Sequence, residues 1–97
     1  MKTRSEAISL LKECHSFPCI YMFKVIGENT PAFYGAVLAE VSTELGGMIG
    51  QKANLASRLS SGGKYLSVTL RLEMESAEQV VRLYERLSKV KGLRSLM

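Results

Sequence analysis

The residues best suited to chemistry lie close together near the start of the chain, in the segment CHSFPC. Cys14, His15 and Cys19 are metal ligands by type, and a thiol near a histidine is also a pattern of nucleophilic catalysis. A structural zinc site normally takes four protein ligands, but the chain has no other histidine and no third cysteine. The sequence therefore predicts no metal site and two free, buried or half-buried thiols.

The chain has few residues suited to acid–base catalysis. There is no aspartate, the single histidine is His15, and the glutamates are scattered along the sequence. If His15 and Cys19 lay on one strand, about 13 Å would separate them, which is too far for a hydrogen bond. A chain reversal at Pro18 would shorten that distance. We predict no catalytic residue, no cofactor and no enzymatic activity.

The length and composition are those of one globular domain. The chain has 97 residues, of which 46% are hydrophobic and 23% charged. No apolar run approaches the ~20 residues that a membrane-spanning helix needs. The run from Ile8 to Leu11 is too short for the core of a signal peptide, and Glu6 and Glu13 flank it. These features predict a cytoplasmic protein without a membrane partner.

Positive charge is concentrated in the second half of the chain. The formal net charge is +4; residues 1–49 contribute −1 and residues 50–97 contribute +5. An excess of this kind suits nucleic acid or an acidic protein partner, and a merely solvated surface carries it too. The lysines and arginines of this half are Lys52, Arg58, Lys64, Arg71, Arg82, Arg86, Lys89, Lys91 and Arg94.

Period-two and period-four patterns predict an alternation of strands and helices. Residues 1–16 form an N-terminal extension that is a short helix or a frayed turn. After it we expect strands at Cys19–Ile26, Met48–Leu59, Tyr65–Glu75 and Leu93–Met97, a hairpin turn at Ser60–Gly63, and helices from Thr30-Pro31 to Leu45 and from Ser76 to Gly92.

This order of elements predicts an α+β fold, the ferredoxin-like βαββαβ sandwich. Right-handed crossovers place the two helices on one face of a four-stranded antiparallel sheet with strand order 4-1-3-2. Along the third strand, Leu66 to Met74 alternate between apolar and polar residues. We therefore expect one face of the sheet to be polar and uncovered.

Several motifs resemble the YbeD-like family of small bacterial proteins. The most specific is SSGGKYLSVTL, followed by FPC and KVIG, and the resemblance extends from about Phe17 to Met97. Members often have a proline just before SSGGKYLS, where this chain has Arg58 and Leu59. The resemblance implies the ACT-like variant of the fold and a regulatory role connected with lipoate metabolism. It implies no catalytic residues.

The loop after the first strand resembles the ligand loop of amino-acid-sensing ACT domains. Such domains have Asn or Asp and a Pro-Gly pair there, and this chain has Ala32 in the place of the glycine. Backbone N–H groups at a helix start suit a carboxylate ligand. The alternative is a well-capped helix start without a ligand. The candidate ligand-binding residues are Gly27, Glu28, Asn29, Thr30 and Pro31.

Three functions remain open from the sequence. The first is a non-catalytic regulatory or adaptor module that binds another protein, with a homodimer as a further option. The second is RNA binding, since RNA-recognition domains share this topology and stack bases on aromatic residues of the first and third strands. The third is the sensing of a carboxylate or amino acid at the loop. The predicted surface for a protein or nucleic-acid partner consists of Tyr21, Lys52, Arg58, Lys64, Tyr65 and Arg71.

Overall fold

The computed structural model describes residues 3–46 and 53–97, which form a four-stranded antiparallel sheet and three helices. This architecture confirms the predicted α+β fold. The elements in chain order are α1 (Arg4–Cys14), β1 (Cys19–Glu28), α2 (Pro31–Leu45), β2 (Ala53–Leu59), β3 (Tyr65–Met74), α3 (Ala77–Leu87) and β4 (Leu93–Leu96).

The strand order is β2-β3-β1-β4, which is the order predicted from the sequence. β1 and β3 are the central strands and pair along their whole length, from Cys19 opposite Met74 to Glu28 opposite Tyr65. β2 pairs with β3 from Ala53 opposite Leu72 to Leu59 opposite Leu66. The predicted start of this second strand, at Met48, lies outside the described residues.

One face of the sheet forms the hydrophobic core with the helices. On β1, Phe23 and Val25 are fully buried, and on β3 the alternate residues from Leu66 to Met74 are buried as well. A strand directs successive side chains to opposite faces, so this pattern defines a face covered by helices and an open face. α2 contributes Phe33, Val37 and Val41 to the core, and α3 contributes Val80, Leu83 and Leu87.

The helices begin at the caps that the sequence indicates. The Thr30 hydroxyl accepts a hydrogen bond from the Phe33 N–H at 3.1 Å, and the Ser76 hydroxyl accepts one from the Gln79 N–H at 3.1 Å. α2 ends at Gly46, which has a φ of 68°. α3 ends at Leu87 and not at Gly92 as predicted, because a turn from Ser88 leads into β4.

Of the two alternatives predicted for the N-terminal extension, a short helix or a frayed turn, the structure has the helix, α1. Residues Arg4–Cys14 form a complete helix, whose cap is the Thr3 hydroxyl accepting from the Glu6 N–H at 3.2 Å. α1 packs along α3, and the ion pair Arg4–Glu85 at 3.4 Å links the two helices. The sequence signal for α1 is weak because none of its residues is fully buried, so the helix has no strong apolar stripe. Within residues 3–46 and 53–97 no helix combines the length and apolarity needed to cross a membrane.

Candidate functional site

The helices leave one face of the sheet uncovered. From β1 it displays Ile20, Met22, Lys24 and Ile26, and from β3 it displays the alternate residues from Tyr65 to Glu73. The pairing with the outer strands adds Arg58 beside Ser67, and Met97 beside Lys24. We call this surface the open face.

An exposed apolar stripe runs along β1 in the middle of the open face. Ile20 is 63% exposed, Met22 is 53% exposed, and Met97 next to them is 57% exposed. Isolated apolar residues are ordinary on protein surfaces, but these three lie on adjacent positions of one sheet. A shallow cavity of about 260 Å³ lies at the Ile20 end of the stripe and is lined by Pro18, Cys19, Ile20 and Glu73.

Several cations lie on or beside the open face, whereas Glu73 lies beside Ile20 at one end of the stripe. On the helix layer, Arg82 and Arg86 both contact Glu44, at 3.4 Å and 3.3 Å, and the Glu44 side chain is only 8% exposed. No ion pair of this kind involves the open-face cations within the described ranges. Of the cations in the second half, Arg82 and Arg86 on α3 thus have carboxylate partners, whereas those on the sheet form no ion pair with a described carboxylate. The open-face cations are Lys24, Arg58, Lys64, Arg71 and Arg94.

Tyr65 lies between two of these cations at one end of the open face. The Lys64 Nζ is 5.7 Å from the centre of the Tyr65 ring, and the Arg94 guanidinium is 5.2 Å from it. Arg94 also donates a hydrogen bond to the Tyr65 hydroxyl at 3.3 Å. Both cations attract the negative face of the ring, so Tyr65 and Arg94 hold each other in place across the sheet.

Tyr21 is not on the open face, so its predicted place beside Tyr65 is wrong. Its parity on β1 is that of Phe23 and Val25, which directs its side chain to the helices. The Tyr21 hydroxyl lies 3.2 Å from the Tyr84 hydroxyl of α3. Burial raises the pKa of Tyr84, and the hydrogen bond and charge of Tyr21 raise it further. Of the other predicted surface residues, Arg58, Lys64, Tyr65 and Arg71 border the open face, whereas Lys52 lies outside the described residues.

The predicted ligand loop is held by contacts within the chain. The Glu28 N–H donates to the Gly92 carbonyl at 3.0 Å, and the Asn29 N–H donates to the Lys64 carbonyl at 3.2 Å. The Asn29 side chain donates to the Gly63 carbonyl at 2.8 Å, and Thr30 caps α2. Pro31 has no N–H to offer. The donors at Glu28 and Asn29 thus already have partners, and ligand binding at Gly27–Pro31 stays a prediction.

The cysteine and histidine residues do not assemble into a cluster. Cys14 is exposed, Cys19 is partly buried, and both are free thiols. The His15 ring packs against Tyr21, with 5.2 Å between the ring centres, and against Phe17. In the part of the chain that the structure describes, no three His, Cys, Asp or Glu residues are grouped so that they could hold a metal ion.

Sequence reasoning missed several residues of the open face. Ile20 and Met22 alternate with the buried residues of β1, but the predicted partner surface does not include them. Met97 and Arg94 reach the open face only because β4 pairs beside β1. The alternation of β1 was a sufficient signal for Ile20 and Met22, whereas nothing local indicates Arg94.

The fold places the protein in a class of small domains. Its sheet and helices resemble the ACT domain of a GTP pyrophosphokinase from Chlorobium tepidum, with a TM-score of 0.57 and 13% identity over 81% of this chain and 97% of that domain. The solution structure of protein HP0495 from H. pylori is also similar, with a TM-score of 0.65 and 15% identity over 86% and 85% of the two chains. The protein therefore has the ACT-like, ferredoxin-like fold.

Sequence comparison then shows the family. Residues 12–97 match the family model described as protein of unknown function DUF493, and the chain belongs to this family. A UPF0250 protein, PM1928 of Pasteurella multocida, is 36% identical over 87 residues, which cover 90% of this chain and 94% of the relative. A UPF0250 protein of Shewanella amazonensis is 32% identical over 81 residues, covering 84% and 88%. The resemblance to the bacterial YbeD-like family is confirmed.

Proposed function

We propose that the protein is a non-catalytic regulatory or adaptor module that binds another protein through the open face. The exposed apolar stripe of Ile20, Met22 and Met97, with cations along part of its border, supports this proposal most directly. Protein interfaces commonly have an apolar centre and a polar rim. The partner surface that fits is apolar at its centre and acidic where it meets Arg58 and Arg71, because neither forms an ion pair with a carboxylate of residues 3–46 or 53–97.

The size of the open face suits such an interface. Strands about 4.8 Å apart, with ten residues in β1 and β3, seven in β2 and four in β4, cover roughly 500 Å² in projection. Specific interfaces bury about 800 Å² on each partner, so the open face with its side chains is of the required order. Full burial of an Ile or Met side chain contributes about 1.5–3 kcal/mol, which makes Ile20 and Met22 the expected anchors.

The proposal includes a cytoplasmic location and no enzymatic role. The free thiols of Cys14 and Cys19 are typical of a reducing compartment. The ACT-like fold is one in which regulatory domains occur, as the GTP pyrophosphokinase domain illustrates. The link to lipoate metabolism that the family resemblance implies would make the partner a protein of that process.

Photo-crosslinking in cells tests the proposal. We would place p-benzoylphenylalanine at Met22 and, as a matched control, at Leu59, which is also 53% exposed but lies on the outer strand β2. We expect a discrete, protease-sensitive adduct from position 22 and none from position 59. Equal labelling of many proteins from both positions would contradict a specific interface on the open face.

RNA binding is the second candidate, and Tyr65 supports it. The ring is on the open face between Lys64 and Arg94, an arrangement that suits a stacked base and its phosphate. The protein partner is favoured because Tyr21 is on the other face, so the two-aromatic platform of RNA-recognition domains is not formed. An adduct at position 22 that ribonuclease removes would reverse this preference.

A further inference from the structure

Two hydroxyl groups lie at the centre of the open face, on the central strand β3. Ser67 and Thr69 are two residues apart, so their side chains point to the same side of the sheet. The residue opposite Thr69 on β2 is Ala56, so small side chains line this part of the surface. Within residues 3–46 and 53–97, no hydrogen bond involves the hydroxyl of Ser67 or Thr69. Both hydroxyls are therefore free to donate a hydrogen bond to a ligand.

Three exposed cations from three different strands border these hydroxyls. Lys24 of β1 lies opposite Thr69, and Arg58 of β2 lies opposite Ser67. Arg71 follows Thr69 by two residues on β3. Directly opposed residues have Cβ atoms about 5 Å apart and diagonal neighbours about 7–8 Å, a distance that long side chains span. The three cationic side chains can therefore reach one point above Thr69. We call these five residues the Thr69 patch.

The carboxylates that β1 and β3 place on the open face lie towards the two ends of these strands. Glu28 is four residues beyond Lys24, and Glu73 is four residues beyond Thr69, which is about 13 Å along a strand in each case. Glu73 is two residues from Arg71, but the two form no ion pair, and the other cations of the patch form none with a described carboxylate. The Thr69 patch thus carries three positive charges, in a chain whose formal net charge is +4. Their mutual repulsion favours a bound anion.

We infer that the Thr69 patch binds the phosphate group of a phosphorylated side chain on the partner protein. A phosphomonoester carries about 1.5–2 negative charges at neutral pH and three strong acceptor oxygens. Three cations and two hydroxyl donors match that charge and those oxygens. Met22 and Ile26, two residues from Lys24 on either side, offer apolar contact to the residues next to the phosphorylated one. This inference rests on the proposed function and names the chemical group that the partner presents.

The arrangement of the cations favours a compact dianion over other anions. Lys24, Arg58 and Arg71 lie on three adjacent strands around one point, whereas a single-stranded nucleic acid is bound along a positively charged groove. A carboxylate brings one charge and two oxygens, fewer than the patch can bind. The patch lies on a sheet face, whereas sites for free small ligands are concave clefts. RNA, an acidic peptide and free phosphate are therefore the alternatives that the experiment must separate from a phosphorylated side chain.

Amide-resonance titrations of the full-length protein with four probes make this separation. The probes are a capped pentapeptide with phosphoserine between alanines, the same peptide with glutamate in its place, inorganic phosphate and octauridine. We expect the phosphoserine peptide to shift the amides of Ser67 and Thr69 saturably and to bind at least about tenfold more tightly than the glutamate peptide, because a dianion forms more charge-assisted hydrogen bonds. Inorganic phosphate should shift the same amides with lower affinity, since it lacks the flanking residues. No shift with the phosphoserine peptide, or binding of any other probe at equal or higher affinity, would overturn the inference.

Matched variants test the individual contacts. Arg71→Ala should weaken binding of the phosphoserine peptide at least about tenfold, and Lys89→Ala, which removes an exposed charge next to α3, less than about twofold. Thr69→Val keeps the shape and charge of the side chain and should weaken binding about fivefold, because one hydrogen bond is lost. Its control is Thr43→Val on α2, with an expected change below about twofold. Equal losses for Arg71→Ala and Lys89→Ala would indicate unspecific attraction and overturn the inference.

Failure of this inference can be told apart from failure of the proposed function. If the phosphoserine peptide causes no shifts while the photo-crosslink at position 22 captures a discrete protein, the open-face proposal stands and the phosphate site is wrong. If the peptide causes no shifts and position 22 captures no discrete protein, both are wrong. The amide spectrum of each variant, compared with that of the wild type, shows that a loss of binding does not arise from unfolding.

Discussion

The two faces of β1 have similar side chains and different surroundings. Phe23 and Val25 are completely buried beneath α2 and α3, whereas Ile20 and Met22 on the opposite face are more than half exposed. The helices cover only one face of the sheet, so only one set of apolar residues contributes to folding. The other set remains exposed to solvent in the isolated protein, so it is available for binding.

The cations of the helix layer and those of the open face differ in their neighbours. On the helix layer, Arg82 and Arg86 are neutralised by Glu44, and Arg86 also contacts Glu40 at 3.6 Å. On the open face, Tyr65 and not a carboxylate is the neighbour of Lys64 and Arg94. Arg82 and Arg86 thus have carboxylate partners, whereas Lys64 and Arg94 form no ion pair with a carboxylate of the described residues.

Truncating one apolar residue on each face of β1 should give the largest difference in the free energy of unfolding. Phe23→Ala leaves a cavity in the core and should lower the free energy of unfolding by about 3–5 kcal/mol. Met22→Ala on the same strand should change it by about 0.5 kcal/mol or less. Urea unfolding of both variants measures the difference. A comparable loss for Met22→Ala would mean that the open face is itself covered in the free protein.

Gly27 tests how tightly the covered face is packed. A Cβ atom at this position would overlap the ring of Phe33, which is 1% exposed. Gly27→Ala should therefore lower the free energy of unfolding by about 1–3 kcal/mol. The control is Gly35→Ala in α2, where the added Cβ meets open space. That change should stabilise the protein by about 0.5–1 kcal/mol, and thermal unfolding compares the pair.

The arginines of the two regions should also differ in their contribution to stability. Arg86→Ala removes a partner of the nearly buried Glu44 and should cost about 1 kcal/mol, since the arginine is itself partly exposed. Arg94→Ala removes an exposed cation–π contact and should cost about 0.5 kcal/mol. Urea unfolding at two salt concentrations provides the measurement. A larger loss of stability for Arg94→Ala than for Arg86→Ala would show that the open-face cation supports the fold.

Tyr84 should add a pH dependence that is confined to the covered face. Its raised pKa means that the folded state holds the phenol proton more tightly than the unfolded state does. The associated stability is complete below the unfolded pKa of about 10 and is lost as pH rises above it. Tyr84→Phe should therefore lose less stability than wild type between pH 9 and pH 11. Ultraviolet titration of the tyrosines supplies an independent check. In Tyr84→Phe, one phenol fewer should titrate at high pH than in the wild type.

Sequence patterns were sufficient to predict the features of the structure that depend on neighbouring residues. The caps at Thr30 and Ser76, the alternation of β3 and the turn at Ser60–Gly63 were all recognisable because each depends on neighbouring residues. α1 was uncertain because its stability comes from packing along α3, which leaves little apolar signal in its own sequence. The end of α3 was misplaced by one turn for a related reason, since the path into β4 determines it.

The candidate site was predictable in part. Arg58, Lys64, Tyr65 and Arg71 follow from charge and strand parity, and the structure brings them to one region of the sheet. Tyr21 was assigned to the wrong face, although its own parity with Phe23 and Val25 contradicts that assignment. The alternation of β1 places Ile20 and Met22 opposite Phe23 and Val25. Their apolar character alone does not indicate exposure, because an apolar residue on a central strand is buried when both faces of its sheet are covered.

The sequence by itself determined the order of the strands and helices, the family and the polar character of the open face, because periodicity and motifs are local properties of the chain. Only the tertiary structure decided which part of β1 lies beside β4 and that Arg94 reaches Tyr65 across the sheet. That pairing depends on contacts between residues about seventy positions apart, such as Lys24 and Met97. The neighbours of Arg94 and Met97 on the open face could not be recognised before those contacts were known.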